Sequence, residues 1–242
     1  MGDERLTDDK SELKKKLGRE AVDRFVQDGM RLGLGTGSTA IWAVRRVAER
    51  LAEGSLHGIV AVTTSLQSDL EARRLGIHVV TLNDSTVADG LDLAIDGADE
   101  IDGSFNLIKG GGGALLMEKV VAYSSQRLVI VADSTKLSPR LCDRFPVPVE
   151  VVAGALEPAA RQLRAMGGEV SVREALRKAG PVVTDLGNLL LDVSFKGSFD
   201  PAQREKEIKQ IPGVLENGLF TGRTPELLIG MPDGRLEHRK KA

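Results

Sequence analysis

Apolar residues recur along this chain with two alternating periods. Leu13, Leu17, Ala21, Val22, Phe25 and Val26 fall at three- and four-residue steps, which predicts a helix over 11–27, capped by Ser11 and ended by Gly29. Met30–Leu34 reads as a short strand. A glycine-rich turn follows, and Ile41, Val44, Val47, Ala48 and Leu51 give a second helix, from about Thr39, a buried stripe. The same unit then repeats. Ile59–Val62 is a strand, Ser65 caps a helix that stops at Gly76, and Ile77–Val80 and Leu91–Ile95 are strands. Ala114–Ser124 is a helix, and Leu128–Ala132 is a strand without polar alternation, as expected of one buried on both faces. Strands alternating with helices predict an α/β fold: a mostly parallel, Rossmann-like sheet flanked by helices.

The pattern changes near Phe145-Pro146-Val147-Pro148. Beyond it come a strand at Val149–Val152, a helix at Pro158–Met166, strands at Glu169–Val172 and Leu189–Val193, and a helix at Pro201–Gln210 ended by Ile211-Pro212-Gly213. This order describes a small α+β unit of ferredoxin- or ACT-like character. Leu227–Gly230 then reads as a strand that returns to the first domain. The expected division is 1–145 for the Rossmann-like domain, 146–213 for the inserted unit and 214–242 for the return. The basic end, His238 to Lys241, reads as a solvated tail.

Composition narrows the function more than the fold. With 41% hydrophobic residues but only 3% aromatic, the core must be built from Val, Leu, Ile and Ala. A formal net charge of −2 points away from nucleic acid and from an anionic membrane surface as partners. One cysteine, Cys142, excludes an internal disulfide and fits a reducing, cytoplasmic compartment. Three scattered histidines do not suggest a zinc site, and no apolar stretch has the length of a membrane span.

The chemistry concentrates at two places. In Gly33-Leu34-Gly35-Thr36-Gly37-Ser38-Thr39, between a strand and a helix, backbone N–H groups, the helix dipole and three hydroxyls favour a small anion. The lysine of a nucleotide P-loop and the third glycine of a dinucleotide fingerprint are both missing. A tight turn that merely needs small residues is the competing reading. The second place is Asp96-Gly97-Ala98-Asp99-Glu100-Ile101-Asp102, directly after an apolar strand, where open α/β sheets bind ligands. Closely spaced carboxylates suit proton exchange, although a solvated loop or a cation site would look alike. Lys109 before Gly110-Gly111-Gly112-Gly113 is a candidate oxyanion or phosphate clamp. Glu118, among Leu115, Leu116 and Val121, is a candidate base in a partly dry site, or else an ordinary exposed helix glutamate. Together these parts describe proton transfer next to a carbonyl, with no metal or organic cofactor required.

The same residues carry a family resemblance. Gly35–Thr39, Thr63-Thr64-Ser65, Asp96–Glu100, Lys109–Leu115, Glu118-Lys119, Val131–Lys136, Pro146–Val151, Val183-Thr184-Asp185 with Gly187-Asn188, and Ile211–Val214 occur in this order. From about Leu13 to Gly234 the chain closely resembles ribose-5-phosphate isomerase of type A. The resemblance implies interconversion of D-ribose 5-phosphate and D-ribulose 5-phosphate through an enediol(ate), in the non-oxidative pentose phosphate pathway. It makes Glu118 the base between C1 and C2. Asp96 becomes the assistant in ring opening and hydroxyl proton movement, with Asp99 beside it. Lys109, with the amides of Gly110, Gly111 and Gly112, becomes the oxyanion stabiliser. Thr36, Gly37, Ser38, Thr39, Gly97 and Ala98 are implied to meet the substrate, and Lys136 and Lys14 its phosphate. It also implies a homodimer or homotetramer. Met117 stands before Glu118 where some members have arginine, and the run has four glycines where some have three and an alanine.

Two other classes stand beside this one. A non-catalytic sugar-phosphate sensor would need a DNA-binding segment, and one helix before Gly29 leaves no room for a helix-turn-helix. Coenzyme A transfer through a glutamate nucleophile would leave a covalent adduct with acyl-coenzyme A.

Overall fold

A computed structural model describes residues 2–241, with side chains from residue 10 onward. In chain order the elements are α1 (Gly2–Phe25), β1 (Arg31–Leu34), α2 (Gly37–Ala52), β2 (Val60–Thr63), α3 (Leu66–Arg74), β3 (Leu91–Asp96), β4 (Glu100–Ile101), β5 (Leu107–Ile108), α4 (Leu115–Tyr123) and β6 (Ser125–Asp133). They continue with β7 (Val147–Val151), α5 (Leu156–Ala165), β8 (Gly168–Val172), β9 (Leu189–Phe195), α6 (Pro201–Lys209), β10 (Val214–Asn217), β11 (Leu219–Phe220), β12 (Glu226–Gly230) and β13 (Leu236–Arg239). The chain divides into two compact units. One comprises the residues up to Gly97, Val120–Thr135 and those from Pro225 on; the other comprises Ala98–Lys119 and Lys136–Thr224.

The first unit is built on a six-stranded sheet in the order β13-β12-β6-β3-β1-β2. Five neighbouring strands run parallel and β13 closes one edge antiparallel. Alternation sorts the strand residues between faces. Leu32, Leu34, Leu93, Ile95, Val129, Val131 and Leu228 share one core with Leu17, Ala21 and Val22 of α1, Ala43, Val44 and Val47 of α2 and Ala72 of α3. Gly33 points to the opposite face, where an added Cβ would lie 2.5 Å from Val121 Cγ1 and 3.0 Å from Ala94 Cβ. Only glycine lets the C-terminal half of α4 approach that closely.

Two expectations at the rim of this sheet change. Ile77–Val80 forms a single parallel bridge, Val79 with Ala61, instead of a full strand. It lies outside β2 with one side to pair, and the chain turns away as Asp84 N–H donates to Thr81 O at 3.0 Å. The expected solvated tail is in part β13. His238 pairs in register with Leu228, its Nε2 lies 2.9 Å from Glu226 Oε2, and Lys240 Nζ reaches the same oxygen at 3.1 Å. Carboxylate partners convert a basic end into an edge strand.

The second unit holds a four-stranded antiparallel sheet, β10-β7-β9-β8. Its chain order, β7-α5-β8-β9-α6-β10, is the split β-α-β motif repeated; the apolar spacing predicts the first five of these elements, and the sixth, β10, comes from the stretch expected to return to the first domain. Val147, Val149 and Val151 of β7 alternate into one core with Leu191, Val193 and Phe195 of β9, Ala160 and Leu163 of α5 and Ile208 of α6. A three-stranded sheet, β11-β5-β4, belongs to the same unit. Its strands are two residues long, too short to leave a period in the sequence.

Candidate active site

The candidate residues fall into a group in each unit. In the first unit β1 and β3 are parallel neighbours, with Leu34 opposite Ile95, so the turn after β1 and the last residue of β3 meet at one carboxyl edge. Gly35 N–H donates to Ile95 O at 2.9 Å. A Cβ on Gly35 would lie 2.2 Å from Asp96 Oδ1, so the glycine makes room for that carboxylate. Asp96 is buried, and its Oδ1 accepts N–H bonds from Thr36 (3.1 Å) and Gly97 (2.7 Å). Two backbone donors fix the carboxylate and offset the cost of burying it.

Thr36 caps α2 through backbone geometry alone, which releases its hydroxyl for Thr64 Oγ1 (2.6 Å) and Ser65 Oγ (2.7 Å). Gly37 takes φ +97°, a left-handed value that favours glycine, and its N–H donates to Gln67 Oε1 at 3.0 Å. Lys14 of α1 donates to Ser38 Oγ at 2.9 Å. Thr39 lies in the first turn of α2, half-buried. The loop is thus braced by Thr64, Ser65 and Gln67, which the sequence reading did not place among the site residues. In the sequence Thr63-Thr64-Ser65 carries a motif and Ser65 a helix-cap signal, at the end of a strand parallel to β1.

In the second unit the acidic run separates by role. Glu100 is buried and spends both oxygens on backbone: Cys142 N–H (2.8 Å), Asp143 N–H (3.3 Å) and Arg144 N–H (3.0 Å). Asp102 closes its own turn on Ser104 and Asn106. Asp99, beside Ala98, accepts Gly111 N–H at 2.7 Å, and a Cβ on Gly111 would lie 2.5 Å from Asp99 Oδ1. The glycine run begins with Gly110 at φ +101° and closes a turn when Gly113 N–H donates to Gly110 O at 3.0 Å.

Lys109 is held from both sides. Its N–H donates to Gly218 O at 2.9 Å, and a Cβ on Gly218 would stand 2.3 Å from Lys109 O. Its Nζ lies 3.3 Å from Glu118 Oε2, with side-chain exposures of 3% and 4%. Glu118 sits in the first turn of α4, its N–H bonded to Ala114 O at 2.9 Å. The next residue, Lys119, turns elsewhere, to Glu205 (2.7 Å) and Glu216 (3.0 Å). The fully buried Phe220 ring lies 5.6 Å from Lys109 Nζ and 4.9 Å from Lys119 Nζ, distances at which its π-face attracts both cations. Glu205, Glu216 and Phe220 carried no sequence signal, because they come from the far end of the chain.

Lys136 ends a short 3-10 turn and is half-buried. Burial pushes the Cys142 thiol up, away from the reactive thiolate form. Among the described residues no group of three or more His, Cys, Asp or Glu side chains could hold a metal ion. Nor is any helix long and apolar enough to cross a membrane.

Comparison with known proteins bears on both groups. Residues 60–234 match the family ribose 5-phosphate isomerase A (phosphoriboisomerase A). The ribose-5-phosphate isomerase A of Synechococcus sp. (strain WH7803) is 52% identical over 230 residues, 95% of either chain. That of Treponema denticola is 44% identical over 236 residues, covering 95% of this chain and 99% of the other. Among solved structures, ribose 5-phosphate isomerase A from Methanocaldococcus jannaschii superposes with a TM-score of 0.88 at 42% identity, over 95% of this chain and 99% of that one. A D-ribose-5-phosphate isomerase in complex with phospho-erythronic acid superposes with a TM-score of 0.90 at 37% identity, over 95% and 98%.

Proposed function

The chain belongs to the ribose 5-phosphate isomerase A family, and from that premise we propose how its own residues perform the aldose–ketose conversion of D-ribose 5-phosphate and D-ribulose 5-phosphate. The observation that carries the reading is the buried pair of Lys109 Nζ and Glu118 Oε2, 3.3 Å apart. A carboxylate enclosed this way is placed to take a proton from carbon, where water would otherwise compete, and an ammonium beside it compensates its charge.

In the aldose-to-ketose direction Glu118 takes the proton from C2 of the open-chain sugar. The C–H electron pair becomes the C1–C2 double bond, and the carbonyl pair moves to O1. Lys109 and the glycine-run amides stabilise the resulting oxyanion. Glu118 returns the proton to C1, the hydroxyl on C2 gives up its proton as the new carbonyl forms, and O1 takes one. Asp96, fixed by two N–H donors, and Asp99 are the proposed carriers of the hydroxyl protons. Lys136 and Lys14 are the proposed phosphate contacts, and Thr36, Gly37, Ser38, Thr39, Gly97 and Ala98 line the sugar. Phospho-erythronic acid, bound by a structural relative, is a phosphorylated sugar acid, consistent with a phosphorylated-sugar substrate. Leu66 and Leu70, exposed one turn apart on α3, support an assembly of like chains, for which we propose a dimer or tetramer. A single cysteine supports a reducing, cytoplasmic setting.

The test is an assay of the purified, chelator-treated protein with ribose 5-phosphate in heavy water. Ribulose 5-phosphate carrying solvent deuterium at C1 is the expected product. No turnover of ribose 5-phosphate would overturn the reading.

A further inference from the structure

Arg173 follows β8 and carries no role in the reading above. Its backbone is locked into the sheet: its N–H donates to Leu190 O at 2.9 Å, and its O accepts from Val182 N–H at 2.8 Å. Asp192 of β9 lies opposite Ser171, two residues before Arg173, so the two side chains share a face. Nε of Arg173 donates to Asp192 Oδ2 at 2.9 Å, and Nη2 donates to Asp192 Oδ1. The remaining nitrogen, Nη1, is aimed at the glycine run, donating to Gly110 O at 2.8 Å and Gly111 O at 3.2 Å. A planar fork with one edge clamped on a carboxylate is a rigid device for holding carbonyl groups.

Peptide planarity carries that grip across the chain. The peptides of the run are trans, so each C=O points opposite to the N–H of the following residue. With Gly110 O held by Arg173 and Gly113 N–H, Gly111 N–H faces the other way and donates to Asp99. With Gly111 O held by Arg173, Gly112 N–H is likewise turned from the guanidinium, and no acceptor among the described residues takes it. Glycines at 111 and 112 would otherwise let this peptide flip at little cost, and a flip would present a carbonyl where an N–H is needed.

We propose that Arg173 is a positioning residue for the isomerase: it fixes the 111–112 peptide so that Gly112 N–H, together with Lys109, is offered to the oxyanion of the enediolate. The inference rests on the reading of the preceding subsection and adds to it a residue that touches no substrate. An oxyanion donor acts on charge that develops in the transition state, so its loss appears in kcat more than in KM.

The experiment compares wild type with Arg173→Ala and Arg173→Lys on ribose 5-phosphate, with and without tens of millimolar guanidinium. Arg173→Ala is expected to lose kcat by roughly 10- to 100-fold, less than the full loss of an oxyanion donor, with KM changed by less than about threefold. Guanidinium is expected to restore several-fold of that kcat while leaving wild type without gain. Arg173→Lys keeps charge and stem but not the two-sided fork, and is expected to fold and to lose kcat in the same direction. It decides the matter should the alanine variant not fold. Folded variants with kcat within twofold of wild type, or a loss confined to KM or to melting temperature, would overturn the proposal. An inactive wild type would instead overturn the isomerase reading, and this proposal with it.

Discussion

Nζ of Lys109 lies 3.3 Å from Oε2 of Glu118, with both side chains all but closed to solvent. Two buried charges are tolerated only as a pair. Breaking such a pair costs about 3–5 kcal/mol, whereas replacing both members is far milder. Lys109→Met is therefore expected to lower both kcat and melting temperature. Lys109→Met combined with Glu118→Gln should recover melting temperature while remaining inactive. A thermal melt of wild type and the two variants checks this, and a double variant less stable than Lys109→Met would speak against the pairing.

Gly35 and Asp96 make a second, purely steric test. A methyl group at Gly35 would sit 2.2 Å from Asp96 Oδ1. Overpacking of this kind costs about 1–3 kcal/mol, and here the yielding group is a proposed proton carrier. Gly35→Ala is expected to keep the fold, measured by circular dichroism, and to lose about 10²-fold in kcat, the low end for a displaced acid–base group. Wild-type turnover in that variant would show that Asp96 is not needed where it stands.

Glu100 and Asp99 are neighbours with opposite expectations. Glu100 accepts from three consecutive backbone N–H groups, at Cys142, Asp143 and Arg144. Glu100→Gln, which leaves an amide hydrogen facing those donors, should destabilise by about 1–3 kcal/mol with kcat unchanged below the melting range. Asp99→Asn should instead lower kcat with a small effect on melting temperature. Exchanged outcomes would move the chemistry from one carboxylate to the other.

Acid sensitivity should come from two carboxylates in the C-terminal part of the chain, Glu216 and Glu226. Burial works against ionisation of Glu216, but Lys119, the Asn217 N–H and Lys209 outweigh it and hold this carboxyl below the usual glutamate range. Burial of Glu226 is likewise outweighed, by Lys240, Arg127 and His238. A carboxyl whose folded value is depressed contributes stability that is present above its unfolded value and lost as pH falls through the folded one. Melting temperature at low salt should thus stay level down to about pH 5 and fall below it, and Glu216→Gln should lower the plateau and flatten that fall. An unaltered acid limb in Glu216→Gln would remove this cause.

How much of this was legible in the sequence depends on the range of the interactions. Helices with a long apolar stripe, such as α2, and the apolar centre of β6, Leu128–Ala132, follow from spacing alone, because burial against a sheet imposes the period. Ser65 is also readable, since its side chain accepts Ser68 N–H in a capping box. The division of labour in the acidic run is not readable. Asp96, Asp99, Glu100 and Asp102 look alike until Cys142–Arg144 returns to occupy Glu100. Glu118 and Lys109 are nine residues apart, and their contact depends on how α4 leaves the glycine turn. Arg173 is invisible for a similar reason: its partners Gly110 and Asp192 lie on either side of it in sequence, and only the sheet brings them together.

The central claim, that Glu118 carries the proton between two carbons, is tested most directly by the turnover of Glu118→Gln on ribose 5-phosphate, read together with substrate binding. The expected result is a fall in kcat of at least about 10²-fold, with binding within a few-fold of wild type and no deuterium taken up at carbon in heavy water. A kcat within tenfold of wild type, or undiminished deuterium uptake, would contradict it.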